Sequence, residues 1–121
     1  MTSVTAEQKE SIRAELPEAN QIENAHLRDK VLEVWALAID ESSFDSISQI
    51  KASGNPDTPP LTTGTQADHL RGVTKLAIAM ADQLCELFPD LPVNKDILIA
   101  GALCHDVGKA WEFDPENQKR W

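Results

Sequence analysis

Eight uncharged residues, Ile97-Leu-Ile-Ala-Gly-Ala-Leu-Cys104, run directly into His105-Asp106 and then Gly108-Lys109. A run this apolar and this short reads as a buried helix, and it delivers an imidazole and a carboxylate at its end. Burying such groups unpaired is costly, so the segment calls for partners. It also calls for cover, because a helix that is apolar nearly all round needs neighbours on every side. Gly108 reads as the residue that lets the chain turn at the helix end, so that His105 and Asp106, about 100° apart in mid-helix, can converge.

The rest of the chain sets the limits within which that demand must be met. Its 121 residues are enough for one modest domain, and 41% hydrophobic residues is too many for a disordered chain. Twenty acidic residues against 11 basic give a net charge of −9, which argues against a nucleic-acid backbone or an anionic membrane as the main partner. A small phosphorylated molecule stays open, since a local metal or lysine outweighs the global charge. The two cysteines, Cys85 and Cys104, form no Cys-x-x-Cys, so a reduced, cytoplasmic setting is the simpler expectation. Met1 to Glu15 lacks the apolar core of a secretory signal, and the longest apolar run falls well short of the roughly 20 residues that span a bilayer.

Periodicity and breakers predict an all-α fold. Thr5 with Gln8 resembles a capping box, opening a thinly apolar surface helix over about Ala6 to Leu16 that stops at Pro17. A second helix is expected from about Glu18 to Ile39, with Leu27, Val31, Val34, Trp35 and Ala38 on its buried stripe, and a short one from Phe44 to Ala52. The Pro- and Gly-rich segment from Gly54 to Gly64 reads as a loop that flanks the site. Thr65 with Asp68 starts the next helix, whose buried face is expected to carry Leu70, Val73, Ala77, Met80, Ala81, Leu84 and Phe88. After the turn Pro89 to Pro92, Asn94 caps the helix that holds the apolar run, and Asp114 with Pro115 starts another.

His69 lies 36 residues before His105, at the start of the preceding helix. Antiparallel neighbours bring the start of one helix near the end of the next, so the two histidines can meet. The lengths do not match automatically: His69 to Phe88 is roughly 28 Å of helix, while Lys95 to His105 climbs back only about 15 Å. Together with Asp106 the two imidazoles make a donor set for Zn, Fe, Mn or, with waters, Mg. The alternative for each is an ordinary one: His69 and His105 as hydrogen-bonded core histidines, Asp106 as an exposed helix end. Lys109 reads either as a partner for the helix dipole or as an anion contact. Cys104 reads as a core thiol and His26 as a solvated histidine, while Trp35, Trp111 and Phe113 read as core or pocket wall.

The motifs Asp68-His69-Leu70-Arg71-Gly72-Val73 and Ala102-Leu103-Cys104-His105-Asp106-Val107-Gly108-Lys109 resemble those of the HD-domain metal-dependent phosphohydrolases. The resemblance covers about 67 to 113. It implies a helical bundle in which His69, His105 and Asp106 ligate a divalent ion, with Asp106 able to bridge a second one. It further implies that Asp106 and Lys109 serve catalysis, Lys109 by contacting a phosphate. The substrate would be a phosphoester of a nucleotide or other small metabolite.

Members of that family complete the site with a later aspartate and often with further histidines, whereas only 15 residues follow Asp106 here. The chain is therefore expected to be the N-terminal part of an HD-type bundle, with 1–64 packing on a metal-binding part over 65–121. A second chain or second copy would supply the missing cover and ligands. Two further readings stay open: a di-iron oxygenase of the same fold, acting on a small polar organic substrate, and a catalytically idle module that binds a ligand or a partner helix.

Overall fold

The computed structural model describes residues 3–52 and 64–119. Six α-helices follow in order: α1 (Ala6–Glu15), α2 (Ala25–Asp40), α3 (Gln66–Leu87), α4 (Lys95–Cys104), α5 (Lys109–Glu112) and α6 (Pro115–Gln118). Two 3₁₀ turns, Pro17–Gln21 and Ile47–Gln49, link the first three. The fold is an all-α bundle, with no strand among the described residues beyond an isolated antiparallel bridge between Lys51 and Thr65. Most of the expected loop between Gly54 and Gly64 lies outside the described residues.

The helix starts are written locally. Thr5 and Gln8 form a reciprocal capping box, as do Thr65 and Asp68. Asn24, Asn94 and Asp114 cap α2, α4 and α6 through their side chains. Two boundaries differ from the sequence expectation. Residues 17–21 tighten into a 3₁₀ turn, and the second helix begins only at Ala25. Pro17 lacks the N–H that a continuing helix needs, and the Asn24 side chain supplies a fresh start. The expected helix from Phe44 to Ala52 is a single 3₁₀ turn, after which Lys51 pairs in extended form with Thr65.

One core joins the whole. Ile12, Leu16, Ile22, Val31, Leu32, Trp35, Ile47, Ile50, Leu70, Ile99, Leu103 and Phe113 belong to a single buried cluster. Helix α1 lies on the surface and buries only Ile12, while Leu16, the residue that caps its end, also enters that core. In α2 the buried stripe is Val31, Leu32, Trp35 and Ala36, while Val34 is exposed. In α3 it runs through Gln66, Ala67, Leu70, Thr74, Ile78 and Ala81. The expected stripe was rotated: Met80, Leu84 and Phe88 face solvent. Thr74 is polar, yet its hydroxyl donates to the Leu70 carbonyl at 2.7 Å and so enters the core satisfied.

The helix-length mismatch resolves through the register of α3 and α4. Lys95, the first residue of α4, forms a 3.0 Å ion pair with Asp82 rather than with the end of α3. The chain doubles back over residues 88–94, so the last turns of α3 overhang. From Asp82 to His69 is only about 20 Å of helix, close to the length of α4 plus its terminal turn. Leu87 and Phe88 in the overhang, and Leu76 and Met80 before it, are between 59% and 72% exposed. On α4 itself only Ile99 and Leu103 are buried, and Ile97 is exposed. An open apolar groove of about 360 Å³ runs between α2 and α4, lined by Leu27, Lys30, Val31, Ile97, Ala100, Gly101 and Cys104.

Candidate metal centre

The register just described brings the first turn of α3 against the turn that ends α4. Three ties hold α4 at its two ends. Asp96 accepts from the backbone N–H of both Glu23 and Asn24, pinning the start of α4 to the start of α2. The fully buried Trp35 donates its indole N–H to the Leu103 carbonyl at 2.8 Å. That carbonyl lacks its helical partner, because the Val107 N–H bonds to Cys104 instead. Past Cys104 the chain continues in tight turns, with Lys109 N–H to Asp106 and Trp111 N–H to Gly108.

Gly108 has φ −64° and ψ −14°, an ordinary helical conformation. The convergence of His105 and Asp106 therefore does not rest on a left-handed glycine. The three-residue hydrogen-bonding period after α4 would by itself set neighbouring residues about 120° apart, yet the side chains of His105 and Asp106 reach one point.

That point is shared by His69, His105 and Asp106, each of which offers a ligand atom within 4.8 Å of the others. His69 Nε2 lies 3.1 Å and His105 Nε2 3.4 Å from Asp106 Oδ2. The two rings meet edge on, with centroids 5.4 Å apart. His105 Nδ1 sits 2.6 Å from the Ala102 carbonyl, so in the neutral ring that nitrogen carries the hydrogen and Nε2 presents its lone pair to the cluster. The side chains are 19% to 39% exposed, open to solutes yet held by the fold.

Such a donor set fits a divalent ion. Ligand atoms about 2.1 Å from one ion, at angles near 90–110°, are roughly 3.0–3.4 Å apart, the separation of these nitrogens from Oδ2. Two imidazoles and a carboxylate suit Zn, Fe or Mn.

The other sequence candidates stand apart from this point. The Lys109 ammonium pairs with Glu112 at 3.1 Å and lies 4.9 Å from the centre of the Phe113 ring. Asp114 is buried as the cap of α6, accepting from Ser43 Oγ at 2.5 Å, Ser43 N at 3.1 Å and Glu116 N at 3.0 Å. Cys104 lines the groove between α2 and α4, and burial pushes its thiol pKa up, which keeps it protonated. His26 is exposed, and Trp111, expected in the core or a pocket wall, is 53% exposed.

Gln66 went unread in the sequence. It is fully buried, and its side-chain N–H donates to Asp106 Oδ2 at 2.9 Å. A glutamine in the first turn of a helix ordinarily reads as solvated. Its signal is the three-residue spacing from His69, which puts both on one face of α3.

An all-α bundle that sets a histidine at the start of one helix against a His-Asp pair at the end of its antiparallel neighbour defines a class of metal-site proteins. Residues 67–120 match the model of the HD domain family. Over 98 residues, 78% of this chain, the sequence is 36% identical to dihydroneopterin 2′,3′-cyclic phosphate phosphodiesterase from Methanocaldococcus jannaschii. The chain spans 39% of that relative's length. No solved structure gives a significant match. Among the described residues no helix is long and apolar enough to cross a membrane.

Proposed function

We propose that this chain carries the metal-binding part of a phosphohydrolase that acts on a small phosphorylated metabolite, with a phosphodiester as the preferred substrate class. His69, His105 and Asp106 hold a divalent ion, Fe, Mn, Zn or Mg. The observation that carries this reading is the meeting of two imidazole Nε2 atoms and a carboxylate oxygen, drawn from two helices, on one partly open point. The phosphodiesterase relative supports the substrate class.

When bound, the ion polarises a phosphoryl oxygen and brings the pKa of a coordinated water toward neutrality. The protein's own groups do the rest. His105 keeps its Nε2 lone pair toward the site because Ala102 holds the other ring nitrogen. Asp106 sets one carboxylate oxygen beside both imidazoles. Lys109 lies one tight turn beyond Asp106, and its flexible stem can swing from Glu112 to a phosphate of the substrate. Another polypeptide segment, from a longer chain or a second copy, covers the exposed apolar face of α3 and completes the coordination.

Metal content and cyclic-phosphate hydrolysis test this. Purified protein is expected to hold metal in a fixed ratio and to open a nucleoside 2′,3′-cyclic phosphate, and Asp106→Ala is expected to lose both. Protein that takes up no divalent ion, or an Asp106→Ala variant that binds metal as well as the parent, would defeat the reading. Two irons with redox activity would point instead to oxygenase chemistry.

A further inference from the structure

Gln66 combines features that a merely structural residue has no use for. It is fully buried, and its backbone N–H is fixed to the Ile50 carbonyl at 2.8 Å. Its side-chain Oε1 is buried without a hydrogen-bond partner. Leaving such an acceptor unsatisfied is costly, and methionine or leucine of similar shape would avoid that cost. Among the described residues the amide's one polar contact is the Nε2–H bond to Asp106 Oδ2 at 2.9 Å. The reverse orientation of the amide would set Oε1 against a carboxylate oxygen, acceptor on acceptor, so the donor must face Asp106.

The neighbours of Oδ2 make that donor more telling. His105 Nε2, 3.4 Å away, bears no hydrogen when Nδ1–H is given to Ala102. An imidazole that ligates a metal through Nε2 likewise has no hydrogen there to donate. Of the three nitrogens around Oδ2, only Gln66 Nε2 remains a donor whether or not the site is filled.

We propose that Gln66 is a positioning residue of the metal centre: its amide holds the Asp106 carboxylate in the orientation that receives the ion. The inference rests on the metal-site reading above. Gln66 touches neither metal nor substrate; it acts through Asp106. It also couples the site to the segment before α3, since its own backbone is tied to Ile50.

The test is calorimetric titration with Mn²⁺ and Zn²⁺ on the parent, Gln66→Met, Gln66→Glu and Asp106→Ala, with thermal unfolding of the metal-free proteins alongside. Gln66→Met keeps the bulk and removes both donor and orphan acceptor. Its metal-free melting temperature is expected to hold or rise, while metal affinity falls about 10- to 100-fold, as for other losses of a partner behind a ligand. Should the methionine variant not fold, Gln66→Glu carries the test, with equal size and an acceptor where the donor was; its loss of affinity is expected to be at least as large. Parent-like affinity in the folded glutamine variants, with Asp106→Ala inactive in binding, overturns the role of Gln66 and leaves the metal centre standing. No binding by the parent overturns both.

Discussion

The indole of Trp35 and the carbonyl of Leu103 are joined by a buried 2.8 Å hydrogen bond that closes the end of α4. The helix there has already released Leu103 from its regular pairing, because Val107 bonds one residue further on. Trp35 thus satisfies the carbonyl and holds the turn that carries His105 and Asp106 against α2. Trp35→Phe is expected to lower unfolding free energy by about 1–3 kcal/mol, since it leaves a buried acceptor without a donor. Metal affinity should fall as well, because the turn loses its anchor. Urea unfolding and metal titration on the same sample check both effects.

Metal addition and removal should separate the site from the fold. An ion that binds only the folded chain raises its stability by mass action, about 2.7 kcal/mol at a hundredfold excess over Kd. Chelation should reverse this. His69→Ala is expected to keep a metal-free melting temperature close to the parent's, because its side chain is one-third exposed, and to lose the metal-dependent rise. Thermal scans with Mn²⁺ and with a chelator give the comparison directly.

These two effects also mark what was legible in the sequence. His69, His105 and Asp106 were readable as a group through the resemblance of their two motifs to a family, whereas helical spacing alone only allowed them to meet. Helix caps at Thr5, Asn94 and Asp114 were readable because capping is local chemistry. The register was not, since it depends on Asp82 meeting Lys95 across a turn whose length says nothing of its path. Nor was the face of α3, where Thr74 and Gln66 are buried by virtue of partners 4 and 40 residues away. Polar residues that enter a core with their hydrogen bonds made look the same in sequence as solvated ones.

Glu18 and Arg71 illustrate such a pairing and predict an asymmetry. The Glu18 carboxylate is buried and takes two guanidinium nitrogens of Arg71, at 2.9 Å and 3.1 Å, and this pairing holds the Arg71 pKa above its usual value. The Arg71 side chain is 37% exposed and can turn to water when its partner is lost. Arg71→Met leaves a buried carboxylate unpaired and is expected to cost about 3 kcal/mol, whereas Glu18→Gln should cost roughly a third of that. Denaturant unfolding of the two variants checks the order; an equal cost would show that the arginine is the more confined partner.

A surface pair sets a small acid sensitivity. The Lys9 ammonium, 3.0 Å from Asp29, holds the Asp29 carboxyl below its ordinary value of 3.8. A carboxyl whose folded pKa is depressed contributes stability above its unfolded pKa and loses that contribution as pH falls through the folded value. Lys9→Met removes the cause. The stability gap between parent and Lys9→Met is therefore expected to be constant from pH 7 to 5 and to close below pH 4, as measured by urea unfolding across that range.

The exposed apolar face of α3 carries the last expectation. Leu76, Met80 and Leu87 are 72%, 66% and 70% exposed and lie at helical spacing on one face. Contiguous apolar surface of this kind marks an association site more often than free surface. The chain is therefore expected to self-associate with rising concentration. Replacing all three residues by lysine should shift sedimentation toward the monomer. Helical content should not change, because none of the three enters the buried stripe of Leu70, Thr74, Ile78 and Ala81. If the parent chain stays monomeric at high concentration, the face has another occupant, and binding should then be sought with the polypeptide that covers it in the full assembly. If the triple variant unfolds, the face is part of this chain's own packing, and the exposed-face reading of α3 fails.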